Sequence, residues 1–141
     1  SMKRIYKNFY AAHQIQAKDI AQLKQEKFEY VLCNRPDNEV QDQPSAEVIK
    51  SECLANGIEF LHLPISPGDF NLEVIMETEK VLKTAKKTLA YCRTGTRSTM
   101  LWAFAKTKDL EVDEVLKITD HSGYNFQHLK ELLETYKSTS S

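Results

Sequence analysis

The chain has few of the features that would replace or bypass an ordinary hydrophobic core. It carries only three cysteines, Cys33, Cys53 and Cys92, with no CxxC pair and no Cys/His cluster. That excludes a disulfide framework, gives no zinc signature, and points to a reducing cytoplasm. Charge of one sign is also missing. Nineteen Lys+Arg stand against twenty Asp+Glu, for a formal net charge of −1. Such a balance leaves no electrostatic footprint for nucleic acid or an anionic membrane, although a local basic pocket stays open. The most apolar stretch, Met100 to Ala105, is far too short to span a bilayer. Residues 1–20 mix charge and amide and hold no signal-peptide apolar region. No repeat, low-complexity block or Gly/Ser linker divides the chain, so a single domain over 3–137 is expected. Residues 1–2 read as an expression remnant with a disordered start, and 138–141 as a frayed tail.

The 141 residues are 41% hydrophobic and 28% charged, a globular profile with enough chain to bury a core. Strand and helix patterns alternate. "FYAA" reads as a short strand, and "AKDIAQLKQEK" puts Ile20 and Leu23 on one helical face. "FEYVLCN" is dense in β-formers and predicts a buried strand. Pro44 and Ser45 open a helix through Ala55 that Gly57 stops. "IEFLHLPI" predicts a second core strand, "SPGD" a turn, and Asn71 the cap of the helix "LEVIMETEKVLKTA". "TLAY" predicts the strand that delivers Cys92. The helix from Arg97 is apolar almost all round and is expected to be central. Two more helices, "VDEVLKI" and "FQHLKELLETYK", flank the turn "HSGYN". The expected class is α/β, a small and mostly parallel sheet flanked by helices, with functional loops at the carboxyl ends of the strands.

The segment "YCRTGTRS" carries the chemistry. A strand ending at Cys92 and a helix starting near Arg97 leave the backbone N–H groups between them facing one point, where the helix N-terminus adds partial positive charge. Such a nest holds a tetrahedral anion and, when empty, stabilises a thiolate. Gly95 lets the backbone approach the ligand closely. Arg97 offers a planar fork for two oxygens, and Ser98 is a candidate hydroxyl donor to the sulfur. Arg93, Thr94, Gly95 and Thr96 are the anion-binding residues. Cys33, in a β-rich run, and Cys53, on a helix, read as small core hydrophobes.

"YCRTGTRS" resembles the active-site loop of cysteine-dependent phosphatases and rhodanese-type sulfurtransferases. With "NFYAAHQI", "VLCNRPDNE" and "HLPISPGDFN", nearly the whole chain resembles the phosphatase-like domain family of beta-lactamase hydrolase-like proteins. The resemblance implies a dual-specificity-phosphatase-like fold with Cys92 and Arg97 at the catalytic positions, and it leaves the reaction open. Four residues separate Cys92 from Arg97 where the phosphatase pattern has five, and Ser98 stands where the longer loop would place its arginine. The shorter loop, and Tyr91 where many phosphatases have histidine, resemble the rhodanese pattern that carries a persulfide. The Asp-x-Arg and Gly-His-Ile segments of rhodaneses are absent, and "SPGD" stands where dual-specificity phosphatases place their acid loop. Asp69 is then the candidate general acid, with plain turn chemistry as the other reading.

The expected function is a cysteine-dependent phosphomonoester hydrolase. A Cys92-persulfide sulfurtransferase is the alternative, and a non-catalytic anion-binding module comes third. The partner is a small anionic substrate or a phosphorylated protein. No metal, cofactor, nucleic acid or membrane is expected. In "RPDNE", Arg35 or Asp37 is a candidate for a pocket wall or for pinning the Cys loop, with a salt-bridged structural loop as the other reading. His13, His62, His121 and His128 do not converge. Trp102 and Phe104 fit a buried helix.

Overall fold

The computed structural model describes residues 2–139. The chain opens with a hairpin, β1 (Met2–Tyr6) and β2 (Phe9–Ala12), and then α1 (Ile20–Gln25), entered through one 3-10 turn. Next come β3 (Tyr30–Cys33), α2 (Ala46–Ala55), β4 (Glu59–His62), α3 (Leu72–Lys83) and β5 (Thr88–Tyr91). Three helices complete it: α4 (Thr96–Lys106), α5 (Val112–His121) and α6 (Lys130–Ser138). The strand order is β1-β2-β5-β3-β4. Only β1 runs antiparallel to its neighbour; β2, β5, β3 and β4 are parallel to one another.

β5 lies at the centre of the sheet, and all four residues of "TLAY" are buried. A strand covered on both faces reads as a continuous apolar run, which is why this one was legible. One face of the sheet packs on α4, and Leu101, Trp102, Ala103 and Phe104 are each 1% exposed there. The other face holds a smaller cluster built on Ile20, Leu23, Ile49 and Cys53 from α1 and α2. Both expected caps form: Val74 N–H donates to Asn71 Oδ1 at 3.1 Å, and Val48 N–H to Ser45 Oγ at 3.2 Å. Gly57 ends α2 at φ +70°.

Four expectations need correction. β1 has no counterpart in the pattern, because "MKRIY" buries only Ile5 and leaves Lys3 and Arg4 exposed on an edge strand. "IEFLHLPI" is not a core strand. β4 is the opposite edge, with Glu59 exposed and Phe60, Leu61 and His62 half-buried, and the apolar run is explained by the buried Ile58 and Ile65 beyond its ends. Order also reaches past both expected limits. Met2 pairs with Ala12, Ser138 closes α6, and Lys108 Nζ donates to Thr139 O at 2.8 Å. Ser1, Ser140 and Ser141, the rest of the expected start and tail, lie outside the described residues. Among the described residues, no helix is long and apolar enough to cross a membrane.

Candidate active site

The site sits where β5 turns into α4. Because β5 is central and parallel, its carboxyl end opens onto the crevice that loops from both neighbouring strands surround. Cys92 follows directly and is fully covered. The chain then turns through Gly95, the N-cap of α4, at φ +87°. This places Gly95 N–H on Cys92 Sγ at 3.1 Å. Thr99 closes the turn from above, its N–H and its hydroxyl both donating to Gly95 O at 3.0 and 2.7 Å. A peptide N–H aimed at sulfur, with the N-terminus of an 11-residue helix behind it, stabilises negative charge on that sulfur.

Gly95 is required twice, by its left-handed backbone and by space. A Cβ there would lie 2.5 Å from Tyr124 Oη. Gly95→Ala is therefore expected to lower stability by about 1–3 kcal/mol and to displace the turn that holds the sulfur. Thermal unfolding with a parallel activity assay checks this, and an unchanged melting temperature would contradict it.

Arg97, in the first turn of α4, is 8% exposed and held from outside the loop. Glu39 grips it with both oxygens, Nη1 to Oε2 at 2.7 Å and Nη2 to Oε1 at 2.9 Å. Nη1 also donates to Ile65 O at 2.8 Å. A guanidinium has five N–H donors. Three are thus spent on the protein, leaving Nε–H and one Nη2–H, which are neighbours on one edge of the fork. That edge can bind two oxygens of a tetrahedral anion. Pairing with Glu39 raises the Arg97 pKa, burial opposes the rise, and the Cys92 sulfur adds to it. Guanidinium and sulfur are therefore close enough to interact. In return, hydrogen bonds from Arg97 hold the Glu39 carboxyl below the usual carboxylate range, against an opposing cost of burial and with help from Arg35.

A cleft of about 720 Å³ opens over the loop. Arg93, Thr94, Thr96 and Arg97 line its floor, and Asp69 stands in the same cleft on the exposed turn after β4. The structure thus brings Asp69 to the Cys loop. Its N–H is fixed by Ser66 O at 3.1 Å. The Arg93 side chain is exposed and forms no ion pair among the described residues, and Thr94 and Thr96 share a hydroxyl hydrogen bond at 3.0 Å.

One expected placement is overturned, and the two candidate pocket-wall residues sit instead in the structural loop that was the other reading. Ser98 gives its hydroxyl hydrogen to Asn34 Oδ1 at 2.8 Å and so does not donate to the sulfur, because this first-turn position of α4 faces the end of β3. Arg35 is not a pocket wall. It is 3% exposed and spans Glu39 and Gln14, with Nε to Oε1 at 2.9 Å and Nη1 to Oε1 at 3.0 Å. Asp37 is spent on α2, where Oδ1 accepts Ala46 N–H at 2.8 Å. "RPDNE" does pin the loop, but through Glu39, with Arg35 supporting it. His62 Nε2–H donates to Arg35 O at 2.9 Å.

Two further contributors escaped sequence reading. Asn34 ties Ser98 to the sheet while its Nδ2 donates to Leu63 O at 3.0 Å. Tyr124, in "HSGYN", is more than a helix connector. It lines the cleft, and its hydroxyl donates to Thr94 O at 3.3 Å. The clue for Glu39 was available: a lone carboxylate beside an arginine, after a strand, on the same side of the sheet as the Cys loop. Nothing local marked Tyr124.

A mostly parallel sheet whose central strand hands a cysteine, a four-residue turn and a clamped arginine to a buried helix gives this chain a dual-specificity-phosphatase-like fold. Solved structures agree on the fold. A candidate phosphatase from Neisseria meningitidis is 31% identical, with 94% of this chain and 96% of that one covered and a TM-score of 0.78. A candidate phosphatase from Shewanella putrefaciens is 13% identical, covering 97% of this chain and 91% of that one at 0.73. The core catalytic domain of the PP-IP phosphatase SIW14 from S. cerevisiae is 14% identical, covering 99% and 85% at 0.67. The phosphatase-like domain of beta-lactamase hydrolase-like proteins matches residues 1–109, and the chain belongs to that family. No curated protein matches it.

Proposed function

We propose that the protein hydrolyses a phosphomonoester in two steps through a cysteinyl-phosphate on Cys92. The observation that carries this reading is the Gly95 N–H on Cys92 Sγ beneath an arginine that Glu39 holds with one donor edge free. In the first step the Cys92 thiolate attacks phosphorus, the bond to the leaving oxygen breaks, and Asp69 gives that oxygen its proton. Arg97 and the loop amides bind the equatorial oxygens, where charge spreads in the transition state. In the second step Asp69 takes a proton from water, the water oxygen attacks phosphorus, and the thiolate leaves. Arg93 adds a cation at the mouth of the cleft. Ser98 acts indirectly, by locking the first turn of α4 to Asn34. The substrate is a small anion or a phosphorylated protein, met in the cytoplasm.

The decisive experiment incubates wild type and Cys92→Ser with an aryl phosphate and, separately, with thiosulfate, followed by intact-mass spectra. Phosphate release with a Cys92-dependent phosphoryl adduct supports the reading. One observation favours a second reading, a sulfurtransferase: the loop has four residues between Cys92 and Arg97, a tighter cradle. There the thiolate would attack the outer sulfur of thiosulfate, sulfite would leave with the bonding pair, and a thiol or cyanide would take the sulfur away. A sulfur adduct with thiocyanate formation and no phosphate release would replace the first reading. Neither adduct nor turnover would leave an anion-binding module.

For the acid, Asp69→Asn is expected to slow hydrolysis of poor leaving groups by ~10²–10⁴-fold and of good ones far less. A leaving-group series checks it, and equal rates on the poor leaving groups would remove Asp69 from the mechanism.

A further inference from the structure

We propose that the cleft selects a phosphomonoester with one phosphoryl group on an apolar, ring-bearing body and discriminates against polyphosphorylated substrates. This rests on the phosphomonoesterase reading and deepens it to a substrate class.

The argument starts from what stands above the anion cradle. Phe70, Met100, Phe104, Tyr124, Phe126 and Leu132 line the cleft. They come from three separate parts of the chain: the acid turn, α4, and the segment from the α5–α6 connection into α6. Phe70 packs edge-on against Phe104 at 5.2 Å and 70°, and Tyr124 stacks on Phe126 at 6.3 Å and 19°. The Tyr124 hydroxyl is tied to Thr94 O, so its ring rises from the loop that would hold the phosphoryl group. Phe70 and Leu132 are 42% and 39% exposed. A ligand body that covers them removes apolar surface from water, and ring faces are suited to a ring.

Charge makes the same distinction. Among the described residues, Arg93 and Arg97 are the permanently cationic side chains lining the cleft, and Asp69 and His128 are its other titratable groups. Glu39 neutralises Arg97, and Glu39 and Ile65 O together occupy three of its five donors, so what is left suits one phosphoryl group. No lysine lines the cleft among the described residues, and the two beside it already have partners. Lys3 lies 5.8 Å from the Tyr124 ring centre with its ammonium on Ser122 O, and Lys130 pairs with Asp113 at 3.0 Å. Beyond the reach of Arg93 and Arg97, a second and third phosphate would meet mainly apolar side chains and lose hydration with no lining lysine in exchange. The chemistry favours the ring and disfavours the polyanion.

Phosphonates separate recognition of the body from leaving-group reactivity. Inhibition constants are measured for methylphosphonate, phenylphosphonate and naphthylmethylphosphonate, with myo-inositol hexakisphosphate as the polyanion. Affinity is expected to rise by roughly tenfold or more from methyl to naphthylmethyl, with the hexakisphosphate weakest. Phe70→Ala and Leu132→Ser, both at exposed positions that tolerate change, are expected to weaken the naphthylmethyl compound by roughly three- to tenfold and methylphosphonate hardly at all. Equal constants across the series, or tightest binding of the hexakisphosphate, would overturn the proposal. Turnover of 2-naphthyl phosphate and of a phosphotyrosine peptide distinguishes two sources of the ring, a small molecule and a protein side chain, and preference for either supports it. Failure of the underlying reading looks different: no phosphomonoester is hydrolysed in a Cys92-dependent way, whatever the inhibition pattern.

Discussion

Cys92→Ser is expected to reduce aryl phosphate turnover by at least ~10⁴-fold while the protein stays folded and still binds inorganic phosphate. The serine hydroxyl fits the volume of the thiol and can accept the Gly95 N–H that now points to sulfur. It fails as a nucleophile because it stays protonated at neutral pH and no base in the site is placed to activate it. The fully buried position makes a small stability loss of about 1 kcal/mol reasonable for a polar atom with one partner. The measurement is single-turnover hydrolysis beside thermal unfolding with and without phosphate. Retained activity within tenfold of wild type would take Cys92 out of the reaction. Loss of phosphate-induced stabilisation along with activity would show that the change reaches the whole loop.

The second large effect lies outside the loop. Glu39→Gln is expected to lower kcat by about 10²-fold at a temperature where the variant is folded, because Arg97 loses the partner that sets its orientation. Glu39 receives Arg97 through both oxygens and Arg35 through one. Removing its charge leaves two buried guanidinium groups facing one neutral amide, a loss of about 2–4 kcal/mol in stability. The pH dependence has a definite sign. The folded-state pKa of Glu39 is depressed, chiefly by hydrogen bonds from Arg97. Its stabilising contribution is therefore complete above the unfolded value of about 4.3 and is lost as pH falls through the lower folded value. Acid unfolding of wild type should steepen below about pH 4, and Glu39→Gln should flatten that limb. Arg97→Lys should behave differently, keeping a charge but losing the two-oxygen grip on both Glu39 and the anion. A Glu39→Gln variant with wild-type kcat would show that Arg97 needs no such support.

Much of the framework was legible because the signals are local. "TLAY" is an unbroken β-run, Asn71 and Ser45 cap the helices they precede, and Gly57 and Gly95 stand where the backbone turns left-handed. Each of these follows from a handful of neighbouring residues. The edge strands were misjudged for the same reason. "MKRIY" lacks alternation and "IEFLHLPI" has too much apolar character for an edge, and only strand order settles which strand is outside.

The amino-acid sequence by itself determined the reactive unit: a cysteine at the end of a buried strand, a glycine turn, and an arginine opening a buried helix. Strand, turn and cap propensities act over a few residues and need no partner. Tertiary structure alone decided what each polar group in that unit does. The Arg97–Glu39 pair spans 58 residues, the Ser98–Asn34 bond 64 and the Tyr124–Thr94 bond 30. Parallel pairing of β3 with β5 brings the first two together, since it sets the loop after Cys33 beside the loop after Tyr91. The third depends on how the helices after α4 pack back over the sheet. Residue type restricts what a side chain can bond to, and the packing of distant segments selects the partner.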